Sequence, residues 1–324
     1  MKARAAPVRA RVRTRVRART RARVRVKVRV RAVRAVRAVR VRATARATVR
    51  ANIRVNVRVR VRVRVRVGVG AGVEVGVATG GRLRIRNKHW CEQRSKSKII
   101  RKSQKELVTE IDLIVQNYLT ESIGAISDCD IFYEEDKSQG SKILSKECFI
   151  IDPIDATHNL IAGLPFYNLS IGYVYNNEIA FGIIYFPDSK DIYHAYKGKG
   201  AYKNLDQLSV SKNIVLEKSI VAYDNQFHLD QSIMINYQKL VESVFTTRIL
   251  GSANRDACFI AEGVLDARVW NSTKVFDIVA GSIIVNEAGG LVTDFNAQPI
   301  NLGNINKVVM SNGGIHQELL ELIG

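Results

Sequence analysis

The sequence predicts a layered α/β (α+β) domain preceded by a disordered, Arg/Val-rich, low-complexity head. Three observations predict it. Charge is split: residues 1–80 hold 24 Arg and 2 Lys against the single acid Glu74. Taking that head out of a chain of net charge +21 leaves an acidic body. Near residue 102 the apolar period changes from Arg-Val doublets to helical spacing. Beyond it, hairpin signals alternate with helical runs, the pattern of sheets and helices stacked in layers.

The head comes first. It uses eleven residue types and contains no Leu, aromatic, Ser or Asp. Its alternation is that of a strand, but strong self-repulsion and the lack of aromatics and turn signals argue against a packed core. Gly68-Val69-Gly70-Ala71-Gly72 lacks the third glycine of a dinucleotide fingerprint and precedes no helical run. Three readings of residues 1–80 stay open. One is a tail that neutralises phosphates on nucleic acid or an anionic surface, without sequence preference because no aromatic is interleaved for stacking. Another is an Arg-rich transit segment. The third is a translated simple-sequence repeat with no evolved role. A basic linker, 81–101, leads into the domain at 102–324.

The elements of the body follow in order. Leu107, Ile111, Ile114, Val115 and Tyr118 recur at helical spacing, with Thr109 and Glu110 near the start. Ile131–Tyr133 is a short strand running into Glu134-Glu135-Asp136. Cys148–Ile151 is a buried strand stopped by Asp152-Pro153. Asn168–Tyr175 and Glu178–Tyr185 flank Asn176-Asn177, a hairpin turn. Ile192–Tyr196, Gly200–Lys203 and Ser219–Tyr223 continue as strands. Asn254–Glu262 and Asp277–Glu287 are helices, the second ending at Gly289-Gly290. Leu291–Phe295 and Val308–Met310 are strands, and His316–Ile323 closes as a helix.

Composition excludes several classes. No apolar run approaches the roughly 20 residues of a membrane helix. No apolar segment follows the basic start, so a secretory signal is not expected. Cys91, Cys129, Cys148 and Cys258 are scattered, as in a reduced cytoplasmic protein, and form no thiolate zinc site. The five histidines form no ligand-spaced pair.

The acids are more informative. Glu134 and Glu135 end one strand, Asp152 and Asp155 follow the next, and Asp277 opens a helix. Singly these are turn residues, caps or solvated faces. Together, with no His or Cys beside them, they suit a hard cation such as Mg²⁺. A helix starting after Asp155 offers backbone N–H groups to a phosphate. The combination describes a metal-assisted phosphoryl hydrolase.

Asp152–Asn159 reads D-P-I-D-A-T-H-N, and here the chain resembles the inositol monophosphatase family. Leu107–Asp112 is similar to that family's D-x-V-T-x-x-D element, and Tyr133-Glu134-Glu135 to its G-E-E. Leu250-Gly251-Ser252-Ala253 is similar to its G-[ST]-A loop. Phe276–Gly281 with Glu287-Ala288-Gly289-Gly290 resembles its W-D-x-A-A-G and E-A-G-G. The motifs keep the family order.

The resemblance implies an αβαβα sandwich and a Mg²⁺-dependent, lithium-sensitive phosphatase of small phosphate monoesters such as inositol monophosphate. It implies Mg²⁺ ligands at Glu134, Asp152, the Ile154 carbonyl, Asp155 and Asp277. Glu134 and Thr157, supported by Asp112, would activate a water. Asp155, the amides of Ala156 and Thr157, and Asp277 would hold substrate, with Gly251, Ser252 and Ala253 along its alcohol part. A small phosphorylated substrate and a homodimer are the partners it implies, with no membrane.

Departures are Ala156 for glycine, Leu160 for Phe, Phe276 for Trp, and Trp270 where inositol-hydrolysing members carry an acid. Trp offers one N–H and no acceptor for a polyol. A nucleotide 3′-phosphatase or a sugar bisphosphatase is therefore an alternative. So is a truncated, inactive member whose head binds nucleic acid, since Val61–Ser97 shows no apolar face for the family's first helix.

Overall fold

The protein is described from a computed structural model, covering residues 27–32, 59–64, 76–78, 99–101, 107–125, 127–134 and 147–324. It divides into two compact units, Met1–Lys88 and His89–Gly324. In the first, β1 (Lys27–Ala32), β2 (Val59–Arg64) and β3 (Gly76–Ala78) form an antiparallel sheet in that order. Its register sets Arg29 opposite Arg62 and Val28 opposite Val63. The remainder of the head, with its expected disorder, lies outside the described residues. So do most of the linker, the question of a first helix, and Glu135 and Asp136.

The second unit is layered as expected. A two-stranded ladder pairs β4 (Ile99–Arg101) with β5 (Leu107–Thr109). The helix α1 spans Glu110–Gly124. Leu107, expected within that helix, is in the strand before it. Thr109 is the N-cap: its hydroxyl accepts from the Ile111 N–H, while Asp112 accepts from the Thr109 N–H, a closed box that ends the strand and starts the helix. Ile111, Val115, Leu119 and Ile123 face the core, four apart; Ile114 is exposed.

The large sheet has seven strands in the order β12-β11-β10-β9-β8-β7-β6. These are β6 (Asp130–Tyr133), β7 (Glu147–Asp155), β8 (Asn168–Tyr175), β9 (Glu178–Phe186), β10 (Asp191–Tyr196), β11 (Ala201–Lys203) and β12 (Asp206–Gln207). All its neighbours are antiparallel except β6 and β7, which are parallel. The expectation that Pro153 stops β7 is corrected: the strand continues to Asp155. Asp152 pairs with Ser170 and Asp155 with Asn168, so Pro153 and Ile154 stand opposite Leu169 in a bulge. A bulge leaves a residue unpaired, and there the missing proline N–H costs no ladder bond.

The short α2 (Thr157–Ala162) follows. The second sheet has the order β14-β13-β15-β17-β16. Its strands are β13 (Ile220–Tyr223), β14 (Thr246–Arg248), β15 (Ala267–Trp270), β16 (Leu291–Thr293) and β17 (Val308–Ser311). Between the sheets lie α4 (Ala253–Ala261) and α5 (Val275–Glu287). On the far side of the second sheet, α3 (Gln231–Ser243) and α6 (His316–Ile323) bury Ile233, Leu240, Leu319 and Ile323. With α1 outside the first sheet, five layers result. The sequence reading assigned nothing to α3 or β14. The signals were the cap Asp230 and the apolar spacing Ile233, Tyr237, Leu240, Val244.

Two contacts set the middle layer. Gly172 and Gly182 are opposite each other on β8 and β9. A Cβ at Gly172 would stand 1.9 Å from Val279, and one at Gly182 2.6 Å from Ile283, so α5 lies directly on backbone. Between α4 and β15, Arg268 forms a buried ion pair with Asp256 and lies 4.9 Å over the Trp270 ring. Burial still pushes Asp256 up to about 7. Arg268→Ala would take away the paired, hydrogen-bonded cation of that buried acid and is expected to cost about 3–5 kcal/mol, read as a fall in the denaturant midpoint; an unchanged midpoint would remove the pair from the fold's support.

Candidate active site

Because β6 and β7 are parallel, both end on the same edge of the sheet. Glu134 follows β6 directly, and Asp152 and Asp155 end β7. Asp277 joins them as the third residue of α5, its carboxylate held by the Lys274 N–H at 3.0 Å and the Thr273 hydroxyl at 3.2 Å. Carboxylate oxygens of Glu134, Asp152 and Asp277 come within 4.8 Å of one another. Asp152 is 1% exposed, and neither of its oxygens has a hydrogen-bond partner among the described residues. A buried carboxylate without donors, beside two more carboxylates, is strongly disfavoured unless a cation joins it. Burial first, and then the charges of Glu134, Asp155 and Asp277, raise Asp152 well above its ordinary range. All-oxygen donors fit Mg²⁺ or a similar hard ion. The Lys274 ammonium lies 3.5 Å from Glu134 on the exposed side.

The other predicted residues surround this trio. Asp155 stands outside it: its Oδ2 accepts from Asn168, Ser252 and the Asn254 N–H, and burial raises it to about 6. Asp112 Oδ1 accepts the Thr157 hydroxyl at 3.0 Å, and that hydroxyl is also 3.2 Å from the Ile154 carbonyl. Asp112 Oδ2 accepts from the Thr109 N–H at 2.8 Å and the Thr109 hydroxyl at 2.5 Å, and burial raises this carboxyl. So the cap of α1 orients Thr157 at the start of α2.

Ala156 has φ +66° and ψ +50°, a left-handed conformation that a Cβ disfavours. Gly251, at φ +70°, passes the Asn159 side chain, where a Cβ would stand 3.4 Å away. Asn159 donates to the Leu250 carbonyl at 2.8 Å and the Phe166 carbonyl at 3.2 Å, tying the 250 loop to the D-P-I-D turn. Ser252 is 1% exposed; its hydroxyl bonds Asp155 at 2.5 Å and caps α4 through the Arg255 N–H. Ala253 begins α4. Trp270, singled out for the acid it replaces, is 3% exposed and packs with Ala222, Ile260, Ile278 and Val292, so it is core. Sequence reading missed Asn159, Asn168 and Asn254; only Asn159 lies inside a recognisable motif. A cavity of about 230 Å³ between Asp294 and Val308 holds none of these residues.

Strand ends, helix starts and clustered acids make an arrangement suited to metal-assisted hydrolysis of phosphate esters. The sequence model of the inositol monophosphatase family matches residues 65–323. A Thermotoga maritima protein named fructose-1,6-bisphosphatase/inositol-1-monophosphatase is 34% identical over 221 residues, 68% of this chain and 83% of that protein. The Bacillus subtilis inositol-1-monophosphatase is 32% identical over 223 residues, 67% and 83% of the two chains. The solved structure of a Thermotoga maritima IMPase superimposes with a TM-score of 0.62 at 32% identity, covering 70% of this chain and 87% of that one. The chain belongs to the inositol monophosphatase family, and so to the phosphoric monoester hydrolases.

Two predictions follow from this geometry. Ala156→Gly relieves the left-handed alanine and is expected to raise stability by about 1 kcal/mol; a lower melting temperature would refute the strain. The second concerns pH. Asp155, raised to about 6, binds its proton more tightly folded than unfolded. Its stabilising protonation is complete below the ordinary 3.8 and is lost as pH rises through about 6. A cation bound to the ionised cluster offsets that loss. The gap in melting temperature between Mg²⁺ and chelator is therefore expected to widen as pH rises from about 4 to about 6; a constant gap would contradict it.

Proposed function

We propose that the protein is a Mg²⁺-dependent phosphatase of small phosphate monoesters, with inositol monophosphate as the first substrate to try. The observation that carries this is Asp152, buried with two unpartnered oxygens beside Glu134 and Asp277. Glu134, Asp152, the Ile154 carbonyl, Asp155 and Asp277 would hold the ions. When bound, Mg²⁺ supplies Lewis-acid activation of the ester and of a water.

The chain's own residues do the rest. Asp112 takes the Thr157 hydroxyl proton in a hydrogen bond, which leaves a Thr157 Oγ lone pair to accept from a water. Glu134 is the second acceptor for that water. The amides of Ala156 and Thr157, heading α2, would bind phosphate oxygens. Asp155 and Asp277 face the ester's alcohol side, with Gly251, Ser252 and Ala253 along it.

A sugar bisphosphate is the second reading. It is favoured by the double name of the Thermotoga maritima relative. The catalytic domain is proposed to begin after the head, near residue 102. A cytoplasmic location suits Cys129, Cys148 and Cys258, which form no disulfide among the described residues. No helix among the described residues is long and apolar enough to cross a membrane.

The test is phosphate release from inositol monophosphate and fructose bisphosphate with and without Mg²⁺. Asp277→Asn is expected to lower turnover by a factor of about 10³ or more while leaving the fold intact, since it removes a negative charge that would hold the cation facing the ester. Turnover retained in that variant would refute the assignment of Asp277.

A further inference from the structure

One oxygen of Asp155 takes every hydrogen bond that reaches its carboxylate. Oδ2 accepts from Asn168 Nδ2 at 2.7 Å, from the Ser252 hydroxyl at 2.5 Å and from the Asn254 N–H at 3.1 Å. No hydrogen bond among the described residues reaches Oδ1. Three donors on one oxygen fix the carboxylate plane, because turning it would break all three.

Two of those donors have other duties. The Asn254 N–H belongs to the first turn of α4, and Ser252 caps that helix by accepting from Arg255 at 3.2 Å. Asn168 works only within this cluster: among the described residues its amide nitrogen donates to Asp155 and, at 3.1 Å, to the Ser252 hydroxyl that also serves Asp155. Its own side-chain carbonyl has no partner although the residue is 0% exposed. A bare buried carbonyl destabilises a fold, and an apolar side chain of the same shape removes that cost. Position 168 begins β8, where buried places alternate with partly exposed ones, a pattern that apolar residues satisfy. Its polarity therefore serves Asp155 rather than the strand.

We infer that Asn168 is a positioning residue, which at a cost to fold stability holds Asp155 so that Oδ1 alone is offered to a divalent cation. This rests on the metal-dependent reading above. It predicts that stability and metal affinity move apart, which a merely structural asparagine would not produce.

The test uses the full chain and Mn²⁺ as the probe, titrated without substrate and followed by electron paramagnetic resonance of the free ion. Melting is measured in chelator alongside. Asn168→Leu is expected to melt at the wild-type temperature or above, yet to bind Mn²⁺ about 10–100-fold more weakly. Asn168→Ala also removes the donor and serves if the leucine variant does not fold. Unchanged Mn²⁺ affinity in either folded variant overturns the inference and leaves the metal reading standing. If neither variant folds, Asn168 is structural and the inference falls. Wild-type protein that holds no Mn²⁺ overturns the metal reading, and this inference with it.

Discussion

Five carboxylates gathered where two strands end and helices begin repel one another, and the rest of the domain is arranged around that repulsion. Asp152 feels Glu134, Asp155, Asp277 and Asp112 together. The fold answers with donors placed wherever the carboxylates do not need to stay open. Asp112 is closed by Thr109 and Thr157, Asp155 by three donors on one oxygen, and Asp277 by Thr273 and the Lys274 N–H. Asp112 and Asp277 also lie in the first turns of α1 and α5, where helix dipoles favour negative charge. Asp152 alone receives no donor, and it is the most buried of the three that converge. The open position and the excess charge coincide, as a cation site requires.

The backbone around this cluster is built to the same end. The bulge at Pro153 and Ile154 lets Asp152 and Asp155, three residues apart, both reach the sheet edge while each keeps its partner on β8. A regular strand would send residues of odd separation to opposite faces. The left-handed Ala156 then turns the chain into α2, whose Asn159 carries the 250 loop and with it Ser252. The turn, the bulge and the loop are one construction, and its strained residue is held by the amide clamp that follows it.

Much of this was legible in the sequence. The acids of the D-P-I-D turn, Glu134 and Asp277 are named by short motifs, whose residue types and spacing within a turn are read locally. The layers were legible too, since the hairpin at Asn176-Asn177 and the helix ending at Gly289 announce themselves locally. What was not legible depends on contacts distant in sequence. Asn168 reaches Ser252 across 84 residues, and nothing near position 168 says so. Trp270 looked like a lost substrate contact when counted from Asp277; packing shows it to be core. Pro153 read as a stop because a proline denies a ladder bond, and only the pairing partner reveals the bulge that tolerates it. The end of the first strand before α1 was blurred because Leu107 fits the helical period by chance.

Charge closes the argument. A phosphate ester is an anion, and the site it must enter is lined by carboxylates, with Lys274 as the exposed cation beside Glu134. The +21 of the whole chain is carried by residues 1–80, which contribute none of the acids of the cluster. On the proposed function, attraction for an anionic ester is generated within the cluster, by cations that reverse its local sign. The ions that would make the ester reactive would first make the site hospitable to it, so that binding and chemistry would depend on one set of acids.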